Sequence, residues 1–381
     1  MRKWKEGNKK MKKKIVAAAM LTLALLAFTG CKKKEEPVVP ATTEGTEQVM
    51  VPETQTEVEE VEDTHEGEVR SFYTGKWINE KKAYNRPVAV MTENTHVTLP
   101  QYGVSKADVI YECPVEGGIT RMMAIYQNYK GLEKVGNVRS CRLYYVYLAK
   151  EFGAAYFHAG ESKYALDILN SSYIDNVDGI TGKGGAFYYR DNSRKAPHNL
   201  YTTGDKLASA MKEYGFDTKL SKDYEPHYQF ATEEEPNLLK NGQKAAVVKM
   251  YYVDAKPWFV YNKKNGLYYR YEFGEKQVDG LTGKQLAVKN IIIQNCNSSL
   301  KNPKNGTLDI DVLSGGTGKY ITNGRAIDIT WKRKSENDIT RYYDENGDEI
   351  VLNPGKTWVE ICESSRASQN VIYSTKADFQ K

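Results

Sequence analysis

Hydrophobic and polar residues fall into three regimes along this 381-residue chain. An apolar run from Ile15 to Phe28 comes first. A stretch from Glu35 to Val69 follows in which acidic residues alternate with Thr, Val and Pro, and no Lys or Arg occurs. Beyond about Arg70, short apolar blocks alternate with polar turns. In this third regime Arg86–Met91 predicts a buried strand that opens with Pro87. Ala107–Cys113 and Ile119–Gln127 predict two more, joined by a turn containing Glu116-Gly117-Gly118. Leu143–Phe152 has helical spacing, Ala154–His158 reads as a short strand, and Glu161–Asn170 and Gly204–Tyr214 read as helices. From Ala245 onward the period shortens to that of strands: Val247–Val253, Trp258–Tyr261, Tyr268–Phe273, Val288–Gln294, Thr307–Val312, Gly324–Trp331, Thr340–Asp344 and Thr357–Cys362. Asn265-Gly266 and Asn346-Gly347 mark hairpin turns between them. The pattern predicts an α+β protein, with a mixed α/β N-terminal domain over 70–235 and a β-rich C-terminal domain over 243–381. The polar stretch Thr232–Gly242 divides the two.

The first regime has the order of an export signal: Lys12-Lys13-Lys14, an apolar core too short for a bilayer about 30 Å thick, then Gly30-Cys31. Phe28-Thr29-Gly30-Cys31 resembles a bacterial lipobox, which implies cleavage before Cys31, lipid (palmitate) on that residue, and residues 1–31 as a lipoprotein signal peptide. Phe28 stands where Leu is usual, and a plain secretory signal with a chance Cys is the alternative. Met11 is the expected start of the signal. Residues 32–69 then read as a disordered acidic tether with 12 acidic residues between Glu35 and Val69. Its low hydrophobicity and one sign of charge cannot offset the entropy of ordering. The expected address is the extracellular face of a bacterial cell membrane, with the membrane itself a partner through lipid at Cys31.

Charge changes the picture once this partition is made. The chain carries 54 Lys+Arg against 49 Asp+Glu, but the residues after the tether keep a surplus of about seven basic groups. That surplus permits attraction to an anionic envelope polymer or glycan. It does not by itself indicate nucleic acid, and export removes DNA from the expected partners, so no nucleic acid is expected. None of Cys113, Cys141, Cys296 and Cys362 lies in a CxxC pair, which speaks against a metal ribbon or a redox motif; an exported chain could join them in disulfides, by any of three pairings, and buried free thiols are the default reading. The 28 tyrosines suit strand faces as well as saccharide stacking.

Candidate chemistry is concentrated between Glu112 and Asn199. Arg121, Arg139 and Arg142 are permanently charged forks beside glycines, the residue set for phosphate or carboxylate, with Asn199 as a further ligand contact. A helix starting at Ser140 would add backbone donors. Glu116, His158 and His198 are the acid–base candidates. The bland alternative ties these arginines to Glu112, Glu116 and Asp191 as loop anchors. His158-x-x-Glu161 with His198 downstream has a zinc-like spacing but no HExxH, so no metal and no other cofactor is expected. Ser140 and Ser162 lie outside any G-x-S-x-G, and Gly315-Gly316-Thr317-Gly318 reads as a β-turn rather than a phosphate loop.

VEGGITR, VRSxR followed by YY, HAGxS and APHNLY in combination resemble the YerB-like family of bacterial lipoproteins, over roughly Arg86 to Cys362. The resemblance implies export, lipid attachment, an N-terminal domain of unknown function and a β-rich C-terminal companion. It implies no reaction. Cys113, Cys141 and Glu161 depart from its pattern. Three functions remain open: an anchored protein that binds an anionic ligand in an Arg/His cleft, a hydrolase or transferase acting on such a substrate, and a structural partner in an envelope complex.

Overall fold

The strands expected at the centre of each half belong to one sheet. The computed structural model describes residues 65–381. The apolar run, Cys31 and the acidic tether up to Thr64 lie outside the described residues. Eleven strands pair in the order Gln243–Lys244, Arg325–Lys332, Gly316–Thr322, Asn290–Cys296, Thr357–Glu363, Val109–Pro114, Thr120–Tyr126, Val88–Asn94, Ala155–His158, Asn176–Asp178, with Arg341–Tyr343 also on Arg325–Lys332. Thr357–Glu363 lies parallel to Asn290–Cys296 on one side and to Val109–Pro114 on the other. The sheet therefore runs across Thr232–Gly242, and the described residues form one compact unit.

Strands buried on both faces carry near-continuous apolar runs. Val88–Asn94, Val109–Pro114 and Thr120–Tyr126 are buried along their whole length. Alternate residues enter different cores. Ala89, Met91, Tyr111 and Met123 pack under the helix Leu143–Glu151, with its Tyr144, Tyr145 and Leu148. Val88, Val90, Ile110 and Met122 enter a second core shared with the helix Gly204–Glu213 and with a six-stranded sheet that includes Val247–Lys249, Trp258–Asn262 and Leu267–Glu272. The structure is thus mixed and strand-rich. All four described cysteines are free and buried, and burial pushes the Cys141 thiol up to about 12.

Three local expectations differ from what is observed. Glu161–Asn170 is helical only over Leu166–Leu169. Its first residues are stitched to the loop before the long helix, with Cys141 N–H donating to Gly160 O and Ser162 N–H to Cys141 O. The helix expected from Ser140 begins at Leu143, with Arg142 extended at its N-cap. The Gly-rich 315–318 segment enters a strand, Gly316–Thr322, rather than a turn. A Cβ on Gly318 would lie 2.1 Å from the Ile293 carbonyl oxygen of the neighbouring strand, so close approach explains the glycine.

Between the two sheets lies a fully buried ionic cluster. In Leu267–Glu272, alternate residues face inward and bring Arg270 and Glu272 to the interface. Arg270 donates to Glu360 Oε1 at 2.8 Å, to Glu272 Oε1 at 3.3 Å and to Glu112, and all four side chains are 0% exposed. The guanidinium also stacks 4.2 Å from the Trp358 ring centroid. One cation cannot neutralise three carboxylates. Burial, with Glu112 close by, raises Glu272 and Glu360 to about 8 despite Arg270.

Folded protein therefore holds these protons over a range in which the unfolded chain has released them, so stability falls as pH rises from about 5 to about 8. Thermal unfolding followed by circular dichroism is expected to show that decline in its midpoint. Glu272→Gln, which keeps the hydrogen bonds without the titration, is expected to flatten it. An unchanged slope in this variant would remove Glu272 as the source.

Candidate functional site

Val88–Asn94, Val109–Pro114, Ala155–His158 and Asn176–Asp178 all run in one direction. Their carboxyl ends share one edge of the sheet, where open sheets of this kind receive ligands. The segment Gly136–Arg142 is laid across that edge. Glu93 N–H donates to Asn137 O at 2.9 Å, Arg139 N–H to Met91 O at 3.2 Å, and Ala159 N–H to Arg139 O at 3.0 Å. Backbone pairing thus fixes where Arg139, Ser140 and Arg142 stand.

Arg121 is the second residue of the neighbouring strand Thr120–Tyr126 and is paired in register with Glu93. Its side chain is only 6% exposed. Its Nη1 donates to Ser140 O at 2.8 Å, and its Nε has no hydrogen-bond partner. Among the described residues no carboxylate lies within 4.0 Å of it. Burial, then the nearby charges of Arg142 and Arg139, push its guanidinium down to about 10. A buried cation repelled by two others is held here at a cost in stability.

Arg142 and Glu116 form a two-pronged pair, with Nε–H to both carboxylate oxygens at 2.8 Å and Nη2–H to Oε2 at 2.6 Å. Burial opposes the charge on Glu116, but Arg142 holds its carboxyl below the usual range. Gly117 and Gly118, both at φ +76°, make the turn that delivers Glu116. The same turn lines a cavity of about 500 Å³ with Tyr251, Glu363 and Arg366. Arg139 Nε lies 3.4 Å from Glu93 Oε2, and its Nη1 donates to Pro197 O at 3.2 Å.

Glu93 is 1% exposed and also meets His198, whose Nδ1 lies 3.0 Å from both carboxylate oxygens. Nδ1 is thereby assigned the proton, and the half-exposed ring leaves Nε2 toward solvent. Sequence reasoning missed Glu93. Its signal was a carboxylate two residues beyond Met91 in a buried strand, on the same face as Met91.

The other expected residues lie elsewhere. Asn199 accepts from Arg190 Nη1 at 2.7 Å through Oδ1, and no hydrogen bond joins it to Arg121, Arg139 or Arg142. Glu116 is not positioned to orient a histidine, because Arg142 occupies it. Of the suspected structural acids, Glu112 takes Arg270 and Asp191 takes Lys134 at 2.6 Å. His158 is 1% exposed, with Nδ1 3.0 Å from Gly160 O and Nε2 3.2 Å from Asn176 Oδ1. Both ring nitrogens are engaged by the protein, which suits a loop anchor better than an acid–base group. His158, Glu161 and Asp178 bring ligand-type atoms within 4.8 Å of one another. However, Asp178 accepts from Gly160 N–H at 2.6 Å, Ile180 N–H at 3.0 Å, Thr181 N–H at 3.1 Å and the Thr181 hydroxyl at 2.5 Å. Those donors fill the lone pairs that an ion would need.

Comparison with known proteins adds three findings. The family described as "Protein of unknown function (DUF3048) N-terminal domain" matches residues 73–217, and its C-terminal domain matches residues 247–359. A Bacillus subtilis (strain 168) protein named "Putative lipoprotein YerB" is 34% identical over 292 residues, 76% of this chain and 84% of its own length. A crystal structure of the YerB protein from Bacillus subtilis superposes with a TM-score of 0.70 at 30% identity, over 80% of this chain and 99% of that one. Among the described residues no helix is long and apolar enough to cross a membrane.

The dense bonding of Asp178 makes it the pin of the loop beside His158. Asp178→Ala is expected to destabilise the protein by about 2 kcal/mol, because several donors lose their acceptor at once. Urea unfolding measures this, and a loss under about 0.5 kcal/mol would show that the loop is held by other contacts.

Proposed function

Because the chain belongs to the DUF3048 family and is 34% identical to a Bacillus subtilis protein named "Putative lipoprotein YerB", we propose that it is a lipid-anchored envelope protein whose arginine cluster holds a phosphate or carboxylate group. The observation that carries this reading is Arg121: a buried guanidinium with an unpartnered Nε, no carboxylate in contact, and Arg139 and Arg142 close enough to repel it. An anion arriving from the surface would relieve that repulsion and gain charge-assisted hydrogen bonds from planar forks. Lipid at Cys31, with Lys32, Lys33 and Lys34 beside it, would keep the site at the outer face of the membrane.

The His198–Glu93 pair supports a second reading, hydrolysis or group transfer on an anionic envelope substrate. A histidine oriented through Nδ1 by a buried carboxylate, with Nε2 open, is the arrangement of a general base. The arginines would then hold the substrate's charge next to it. Release of soluble fragments from purified cell-wall polymer by the wild type, lost in His198→Ala, would favour this reading. No release by the wild type would leave binding alone.

Two measurements test the proposal. Arg121→Met is expected to raise the thermal midpoint in chloride, because it removes an uncompensated buried charge. It is also expected to abolish the further rise that inorganic phosphate gives the wild type over chloride at matched ionic strength. An equal phosphate response in both proteins would overturn the anion site. Separately, Cys31→Ser is expected to prevent incorporation of labelled palmitate in a bacterial host. Labelling that persists in the variant would refute the anchor.

A further inference from the structure

The opposite edge of the sheet, where Val88–Asn94 begins and Thr120–Tyr126 ends, carries a groove of about 570 Å³. Its walls present Lys82, Arg86, Lys130, Lys212 and Lys219, and no Asp or Glu lines it. Arg86 is already neutralised, with Nη1 2.6 Å from Asp175 Oδ2. The four lysines are not. All are exposed. Among the described residues Lys82, Lys130, Lys212 and Lys219 make no salt bridge, and Lys219 Nζ donates only to Lys81 O at 2.9 Å and Asn85 Oδ1 at 2.8 Å. They come from separated parts of the chain: the short helix Glu80–Lys82, the loop after Thr120–Tyr126, the helix Gly204–Glu213 and the loop beyond it. Their convergence is a product of the fold, and mutual repulsion among them opposes it. On the groove's lining Tyr129 has a 6% exposed side chain whose hydroxyl makes no hydrogen bond to the described residues.

We propose that this groove binds a flexible polyanionic strand, with successive negative groups meeting the four ammonium groups and the Tyr129 hydroxyl offering a donor below them. Concavity selects the occupant. A planar bilayer surface meets the exposed lysine tips but does not reach Tyr129 or Arg86, whereas a single extended chain lies along all of them. Lysine contacts are point charges without fork geometry, so recognition depends on charge repeated along the strand rather than on one group. This site is separate from the arginine cluster, and its assignment does not rest on that reading.

The test uses the full chain anchored in nanodiscs of neutral lipid and fluorescently labelled long-chain polyphosphate, followed by anisotropy. Wild type is expected to bind with an affinity that falls steeply with salt, as release of counterions requires. Lys82→Glu/Lys130→Glu/Lys212→Glu changes only exposed, unpaired side chains. It is expected to lower the affinity at least about tenfold and to reduce the salt slope. The thermal midpoint and the response to inorganic phosphate through Arg121 should remain. Arg121→Met is expected to keep polyphosphate binding. Equal binding by the triple variant would overturn the proposal, as would equal competition by tripolyphosphate at matched total charge. Loss of wild-type binding in nanodiscs enriched in anionic lipid would assign the groove to the membrane and overturn it as well.

Discussion

Strand Thr357–Glu363 is formed by residues near the end of the chain, yet it lies in the middle of the sheet between Asn290–Cys296 and Val109–Pro114. Its parallel pairing with Val109–Pro114 puts Glu360 in register with Glu112. Those two carboxylates face the inward side of Leu267–Glu272, where Arg270 joins them to Glu272. The same pairing aligns the carboxyl ends of strands from both halves along one edge. There the turn Glu116–Gly118 lines the cavity that also reaches Glu363 and Arg366. The buried charge cluster depends on this register, whereas the arginine cluster rests on the pairing of Val88–Asn94 with Thr120–Tyr126.

The two charge clusters follow opposite rules. Around Arg270, three carboxylates compete for one cation in a dry interface, and the excess is settled by protons. Around Arg121 the cations are in excess, and no titration removes a guanidinium's charge near neutral pH. The first cluster is complete within the protein. In the second, Glu93 and Glu116 meet Arg139 and Arg142 while Arg121 meets no carboxylate among the described residues, and this physical difference underlies the binding role proposed for it.

Much of the strand framework was legible because the runs around Val88, Val109 and Ile291 are apolar and short, and the stretch from Leu143 has helical spacing. Arg121, Arg139 and Arg142 were legible as charged forks beside glycines, and all three stand at one edge of the sheet. What was not legible depended on pairing distant in sequence. Glu161–Asn170 reads as a helix locally, but at its start Ser162 N–H goes to Cys141 O, some twenty positions earlier, and Gly160 O just before it accepts from Cys141 N–H. Glu116 reads as a partner for a histidine, yet Arg142 reaches it across the loop and Glu93 takes His198 instead. Asn199 follows His198 in sequence but turns to Arg190. In Leu267–Glu272 the alternation of burial was visible in principle, since Tyr268, Arg270 and Glu272 share a parity. Nothing local says that a charged pair takes the inward face.

The placement of Thr357–Glu363 also bears on how such a chain matures. Synthesis delivers the N-terminal strands first, and Val109–Pro114 has an open hydrogen-bonding edge until Thr357–Glu363 has been made. The first half therefore keeps the hydrogen-bonding edge of Val109–Pro114 unpaired until nearly the whole chain is available to close it. A chain cut short by even its last thirty residues would expose the centre of its own sheet rather than lose a peripheral strand.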